Sequence, residues 1–135
     1  MTLSELIQPV VEIRKRAGDC ILEVYNREQD IDVDYKADDS PLTEADLGAH
    51  KVIEAGLKAL TPDIPILSEE SDEIPYSVRS TWTRYWLVDP LDGTKEFINR
   101  NDEFTVNIAL IDDGVRVLGG VYVPVLKQLF TGVTG

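Results

Sequence analysis

The chain has one cysteine, one histidine and one methionine among its 135 residues, and each scarcity closes off a chemistry. A lone Cys20 cannot form an internal disulfide, which fits a reducing compartment. Cys20 and His50 together fall short of the ligands that zinc requires. With His50 as the sole histidine, no Ser-His-Asp or Cys-His constellation is expected, and the residue is read as solvent-facing or capping on a helix. Long apolar runs are also missing. Nowhere do the roughly 18 consecutive apolar residues of a membrane span occur, and the first 16 residues carry charge through their hydrophobic positions instead of forming a separate apolar block. A cytoplasmic protein without a membrane span is the expectation. Positive charge is scarce as well: 13 Lys and Arg stand against 25 Asp and Glu, a net charge of −12, and a nucleic-acid backbone repels such a surface. What remains for chemistry is oxygen, and oxygen donors select hard cations such as magnesium.

What is present is enough for one domain over residues 1–135, at 43% hydrophobic and 28% charged. Leu6, Val10, Ile13, Ala17, Ile21 and Val24 recur at helical spacing and predict a helix from residue 3 to about 28, with Pro9 in its first turns and Cys20 on its apolar side. A second helix is predicted over 44–60, burying Ala45, Ala49, Ile53 and Leu57, and Thr43 followed by Asp46 suits a capping-box start. Strands are predicted at 64–67, 85–88, 104–111, 115–123 and 126–131, with Asp112-Asp113-Gly114 as a hairpin turn and 71–81 as polar loop. Trp82 and Trp86 are read as core anchors. The fold class is α+β: two helices packed on a mostly antiparallel sheet.

Two stretches invite a metal. In DIDVDY, Asp30, Asp32 and Asp34 copy the opening of an EF-hand calcium loop, but Tyr35 and Pro41 stand where that loop needs glycine and glutamate, so the aspartates read as one solvated strand face. In WLVDPLDGTKEF, Asp89 ends a strand and Pro90 fixes the backbone, so that Asp89, the Leu91 carbonyl and Asp92 turn toward one small volume. Gly93 and Thr94 then open a helical turn whose amides can hold a phosphate oxygen. Alone, this is equally an Asp-Pro turn before a Gly-Thr helix start.

WLVDPLDGTKEF, preceded by SEES and by SPLTEAD, resembles the magnesium-dependent, lithium-sensitive inositol monophosphatase superfamily, from KADDSPLTEAD through LTPDIPILSEES to NDEFTVNIALI. Lys95-Glu96-Phe97 resembles its bacterial 3'(2'),5'-bisphosphate nucleotidase branch. The resemblance implies a layered α/β sandwich of which this chain is the N-terminal part. It implies a Mg²⁺ cofactor and a small nucleotide bisphosphate as substrate, the 3'-phosphate of adenosine 3',5'-bisphosphate being hydrolysed to leave AMP. Glu69, Asp89 and the Leu91 carbonyl would hold a first magnesium, and Asp89 would bridge to a second held also by Asp92. Glu69 would orient the attacking water, Thr94 paired with Asp46 would activate it, and the Gly93 and Thr94 amides would take the phosphate, giving substrate contacts at Glu69, Leu91, Asp92, Gly93 and Thr94. Glu70 is implied as an outer ligand and Lys36 as a screen for phosphate charge. Asp46 is equally the third residue of the capping box with Thr43. Family members run to nearly twice this length and carry a further aspartate in a W-D motif, so a fragment is the expectation, with edge pairing into a homodimer as the alternative. An inositol or sugar phosphatase and an inert metal- or phosphate-binding module are the competing functions.

Overall fold

The computed structural model describes residues 2–26, 33–35, 41–68, 75–98 and 104–133. Helix α1 runs from Leu3 to Tyr25, its start held by the Thr2 hydroxyl, which accepts from the Glu5 amide at 3.2 Å. Pro9 lies inside it without ending it. The helix stops before the predicted residue 28, where the Asn26 amide closes on the Leu22 carbonyl at 2.9 Å. A short antiparallel pair follows, β1 (Val33–Tyr35) with β2 (Pro41–Thr43), and leads directly into helix α2, Glu44–Leu60, at the predicted bounds. Of the DIDVDY aspartates, Asp34 is in β1, while Asp30 and Asp32 lie outside the described residues.

The main sheet has the order β3 (Ile66–Ser68), β4 (Arg84–Asp92), β5 (Thr105–Asp112), β6 (Val115–Val123), β7 (Gln128–Val133). The β3–β4 pair is parallel and the other three are antiparallel. The predicted polar loop before β4 contains a one-turn helix, α3 (Tyr76–Arg79), and α4 (Thr94–Ile98) follows β4. Asp113 and Gly114 both have positive φ, 51° and 77°, as a two-residue hairpin turn of matching twist requires. The last strand begins two residues later than predicted, because Pro124 to Lys127 form a turn closed by the Lys127 amide on the Pro124 carbonyl at 3.2 Å.

Helices α1 and α2 cover one face of the sheet, and their apolar stripes meet Trp86, Val88, Val106, Ile108, Leu110, Leu118 and Tyr122. Trp86 is fully enclosed and donates its indole N–H to Thr61 Oγ1 at 2.9 Å. Trp82, expected in the core, is instead half-buried, with its ring 5.9 Å from Tyr85. Cys20 is also only half-buried, its Sγ in the space that a Cβ on Gly48 of α2 would need. Strand alternation turns Leu87, Asp89, Asn107, Ala109 and Val121 to the other face, where they line a shallow depression of about 330 Å³.

The helix pattern conceals one charge. Arg14 falls on the buried face of α1 and has no exposed surface. Its Nη2 donates to the Ile108 carbonyl at 3.0 Å, Nε and Nη1 find no hydrogen-bond partner among the described residues, and burial pushes its pKa down to about 10. The guanidinium lies flat against Gly120, where a Cβ would come within 2.5 Å of Cζ. Gly120→Ala is therefore expected to lower stability by about 1–3 kcal/mol, as overpacking of an enclosed site does. Urea unfolding checks this, and a variant as stable as wild type would mean that Arg14 moves freely.

Candidate active site

The site is assembled by a change of strand parity. Along a regular strand, residues three apart point to opposite faces. In β4, Asp89 pairs with Asn107 and Asp92 pairs with Thr105, so three steps on β4 oppose two on β5. The extra residue is a bulge at Pro90 and Leu91, both turned into the protein, and it brings Asp89 and Asp92 onto the same side. Asn107 stands between them. It is the register partner of Asp89 and donates Nδ2 to Asp92 Oδ2 at 3.2 Å. The sequence reading missed Asn107, although a polar residue alternating with Val106 and Ile108 in a strand was its visible signal.

After Asp92 the chain turns at Gly93, whose φ of +94° is one that side-chain-bearing residues rarely adopt. Thr94 opens α4, and Phe97 anchors it. The Phe97 ring is fully buried and lies 5.4 Å from Tyr25 and 5.3 Å from Phe104, closing a three-ring cluster in which Tyr25 and Phe104 are 4.8 Å apart. This cluster joins the end of α1, the start of β5 and α4, and so fixes the turn from beneath.

Asp46 meets Thr94 from the other side. Its carboxylate is 1% exposed. Oδ2 accepts from the Thr43 amide at 2.9 Å and from Thr43 Oγ1 at 2.6 Å, and Oδ1 accepts from Thr94 Oγ1 at 2.9 Å. The capping box and the Thr94 pair, left as alternatives by the sequence, are thus both made, one by each carboxylate oxygen. All three partners are donors, the set that an acceptor-only carboxylate satisfies. The Leu91 carbonyl lies 3.4 Å from Thr94 Oγ1, and the Leu91 side chain is in the core.

Several predicted residues fall elsewhere. Glu69, Glu70 and Lys36 lie outside the described residues. Among the described residues no three His, Cys, Asp or Glu side chains gather as a metal-binding group, so the described part of the site offers two carboxylates, Asp89 and Asp92, and not a full ligand set. His50 corrects the sequence reading. Its side chain is 15% exposed, with Nδ1 3.0 Å from Ser68 Oγ and Nε2 3.1 Å from Glu54 Oε2. One histidine was enough to align a serine and a carboxylate, although Ser68 is 7% exposed and enclosed in the fold.

Comparison with known proteins places the fold. The sequence profile of the inositol monophosphatase family matches residues 2–135. The chain is 55% identical over 130 residues to the 3'(2'),5'-bisphosphate nucleotidase CysQ of Escherichia coli K12, covering 96% of this chain and 52% of that protein. It thus spans about half the length of the curated relatives it matches. The crystal structure of CysQ from Bacteroides thetaiotaomicron superposes with a TM-score of 0.83 at 46% identity, over 98% of this chain and 47% of that one. An IMPase/NADP phosphatase solved with Mg²⁺ and phosphate shares the fold at 19% identity, with a TM-score of 0.84 over 100% of this chain and 50% of that one.

The double use of Asp46 has a measurable consequence. Asp46→Ala removes the cap and leaves buried donors unpaired, an expected loss of about 2–4 kcal/mol, whereas Thr94→Val removes one hydrogen bond and costs about 1 kcal/mol. If urea unfolding ranks Thr94→Val as the more damaging change, Asp46 is not the joint between α2 and α4.

Proposed function

Since this chain belongs to the inositol monophosphatase family, we propose that it carries the metal-binding half of a Mg²⁺-dependent phosphatase that removes the 3'-phosphate of adenosine 3',5'-bisphosphate. The observation behind this reading is the bulge that puts Asp89 and Asp92 on one face, directly before the Thr94–Asp46 pair. The donors on offer there are oxygens, which suits magnesium and not a soft metal. In this reading Asp89, Asp92, the Leu91 carbonyl and Glu69, the residue after Ser68, hold the metal. Bound Mg²⁺ supplies a lowered pKa for the attacking water and neutralises charge in the in-line displacement.

The chain's own groups do the rest. Thr94 commits its hydroxyl proton to Asp46 Oδ1, so its lone pairs are turned outward to accept a hydrogen bond from the water. As the water attacks phosphorus, its proton passes to Thr94 Oγ1 and the Thr94 proton passes to Asp46, while the bond from phosphorus to the ribose 3' oxygen breaks and that oxygen leaves with AMP, taking a proton from solvent. Glu69 orients the same water. The Gly93 and Thr94 amides hold the phosphate oxygens, and with Leu91 and Asp92 they fix the substrate against the turn. The nucleotide preference draws on the identity to CysQ and on the Lys95-Glu96-Phe97 stretch. A nucleotide bisphosphate is a small soluble partner, and no helix among the described residues is long and apolar enough to cross a membrane. A cytoplasmic, lithium-sensitive enzyme acting beside sulfur assimilation completes the reading, with a homodimer as its oligomeric form.

Phosphate release from adenosine 3',5'-bisphosphate and from inositol 1-phosphate, with Mg²⁺ and then with added Li⁺, tests it. Lithium-sensitive turnover of the nucleotide supports the reading. Preference for inositol phosphate moves the chain to the sugar phosphatases, and metal binding without turnover leaves a binding module. Asp89→Asn is expected to lower metal affinity and turnover by about 10²-fold or more, with the unfolding midpoint near wild type. A variant that keeps most of its activity removes Asp89 from the site.

A further inference from the structure

We propose that Asn107 is a positioning residue that makes Asp92 a one-oxygen ligand and so sets a preference for Mg²⁺ over Ca²⁺; the inference rests on the phosphatase reading above. The bulge that brings Asp89 and Asp92 to one side leaves Asn107 between them on β5, in register with Asp89 and two residues from Thr105, the partner of Asp92. Asn107 Nδ2 lies 3.2 Å from Asp92 Oδ2 and 3.2 Å from Thr105 Oγ1. An amide nitrogen carries two hydrogens, so it supplies both bonds at once. The same bonds decide which way the amide faces. Reversed, it would set its carbonyl oxygen against the carboxylate, two acceptors with no hydrogen between them.

Asp92 is exposed, and a carboxylate on the surface rotates unless a neighbour holds it. With Oδ2 taken by the amide, Oδ1 is the oxygen left for a cation. That distinction separates two ions of the same charge. Ca²⁺ accepts mono- or bidentate carboxylates in a flexible shell of roughly 6–8 oxygens, whereas Mg²⁺ demands a near-octahedral shell and keeps several waters. A carboxylate restricted to one oxygen therefore denies Ca²⁺ a contact and denies Mg²⁺ none. The amide is neutral, so the charge of the site, and with it the general pull on any dication, is the same with or without it. What Asn107 changes is the shape that the carboxylate presents.

The test follows bound Mn²⁺ by electron paramagnetic resonance on the chain and its variants, displacing it with Mg²⁺ in one titration and with Ca²⁺ in another, with unfolding midpoints alongside. Asn107→Leu keeps the size of the side chain and removes both N–H donors, and Asn107→Val, which suits a strand, is the second variant. Each is expected to move the balance between the two competitors toward Ca²⁺ by about 10-fold, the scale of lost ligand support. Asn107→Gln, which keeps both donors, should move it less. In an Asp92→Ala background Asn107→Leu should add no further shift, because the oxygen it frees is then gone. If Mg²⁺ and Ca²⁺ weaken together, or neither changes, Asn107 is a packing residue of β5 and the inference alone is overturned. A wild-type chain that does not bind Mn²⁺ overturns the phosphatase reading, and the inference with it.

Discussion

One buried carboxylate joins the structural and chemical halves of this molecule. Asp46 completes the capping box at the start of α2 with one oxygen and takes the Thr94 hydroxyl with the other. A helix start leaves amides that must find acceptors, and a buried carboxylate must find donors. Each need meets the other here, and the enclosed position makes the geometry stiff. The same satisfaction leaves Thr94 with an oriented oxygen facing away from Asp46, which is the property a water-activating hydroxyl requires. Stability and the proposed catalysis therefore depend on the same three hydrogen bonds.

The second constraint is topological. Two aspartates three apart on a flat strand would face opposite sides of the sheet, one of them into the core beside Trp86 and Val88. The bulge at Pro90 and Leu91 reverses that parity, and proline suits it because the position there is not called on to donate to the ladder. Gly93 then turns the chain out of the sheet, and the Tyr25, Phe97 and Phe104 rings stop the following helix from swinging. Each of these devices is local in sequence, within Asp89 to Phe97, apart from the two rings contributed by α1 and β5.

That locality explains what could be read without coordinates. The bounds of α2, the capping box, the Asp113-Gly114 turn and the succession of the last three strands follow from spacing and turn chemistry, whereas the parallel β3–β4 edge does not. The Thr94–Asp46 pair joins residues 48 apart and entered the reading only through the family resemblance. Arg14 was hidden because periodicity counts apolar residues, and a buried cation on the right face interrupts the count without breaking the helix. His50 was misread for a related reason: composition says how many histidines exist but not what lies beside them, and Ser68 and Glu54 are brought to the ring by tertiary and helical neighbourhood respectively. The slip at β7 arose because Leu126 is apolar yet occupies a turn, where exposure and not burial decides its place. Glu69 and Glu70 fall outside the described residues, so their proposed roles rest on resemblance alone.

Charge gives the last step. A net −12 surface repels a nucleotide bisphosphate, and Asp89 and Asp92 sharpen that repulsion where the substrate would dock. Among the described basic side chains, Lys58 is committed to Glu54 and Arg84 to Asp112, Arg14 is sealed beneath the sheet, and Arg116 lines the same depression as Asp89. The field at the depression can be inverted locally by cations held on the carboxylates themselves. In the proposed phosphatase reading, metal binding would precede productive substrate binding for an electrostatic reason: the acidity of the site would gather the metal and, with the metal in place, would no longer exclude the phosphate.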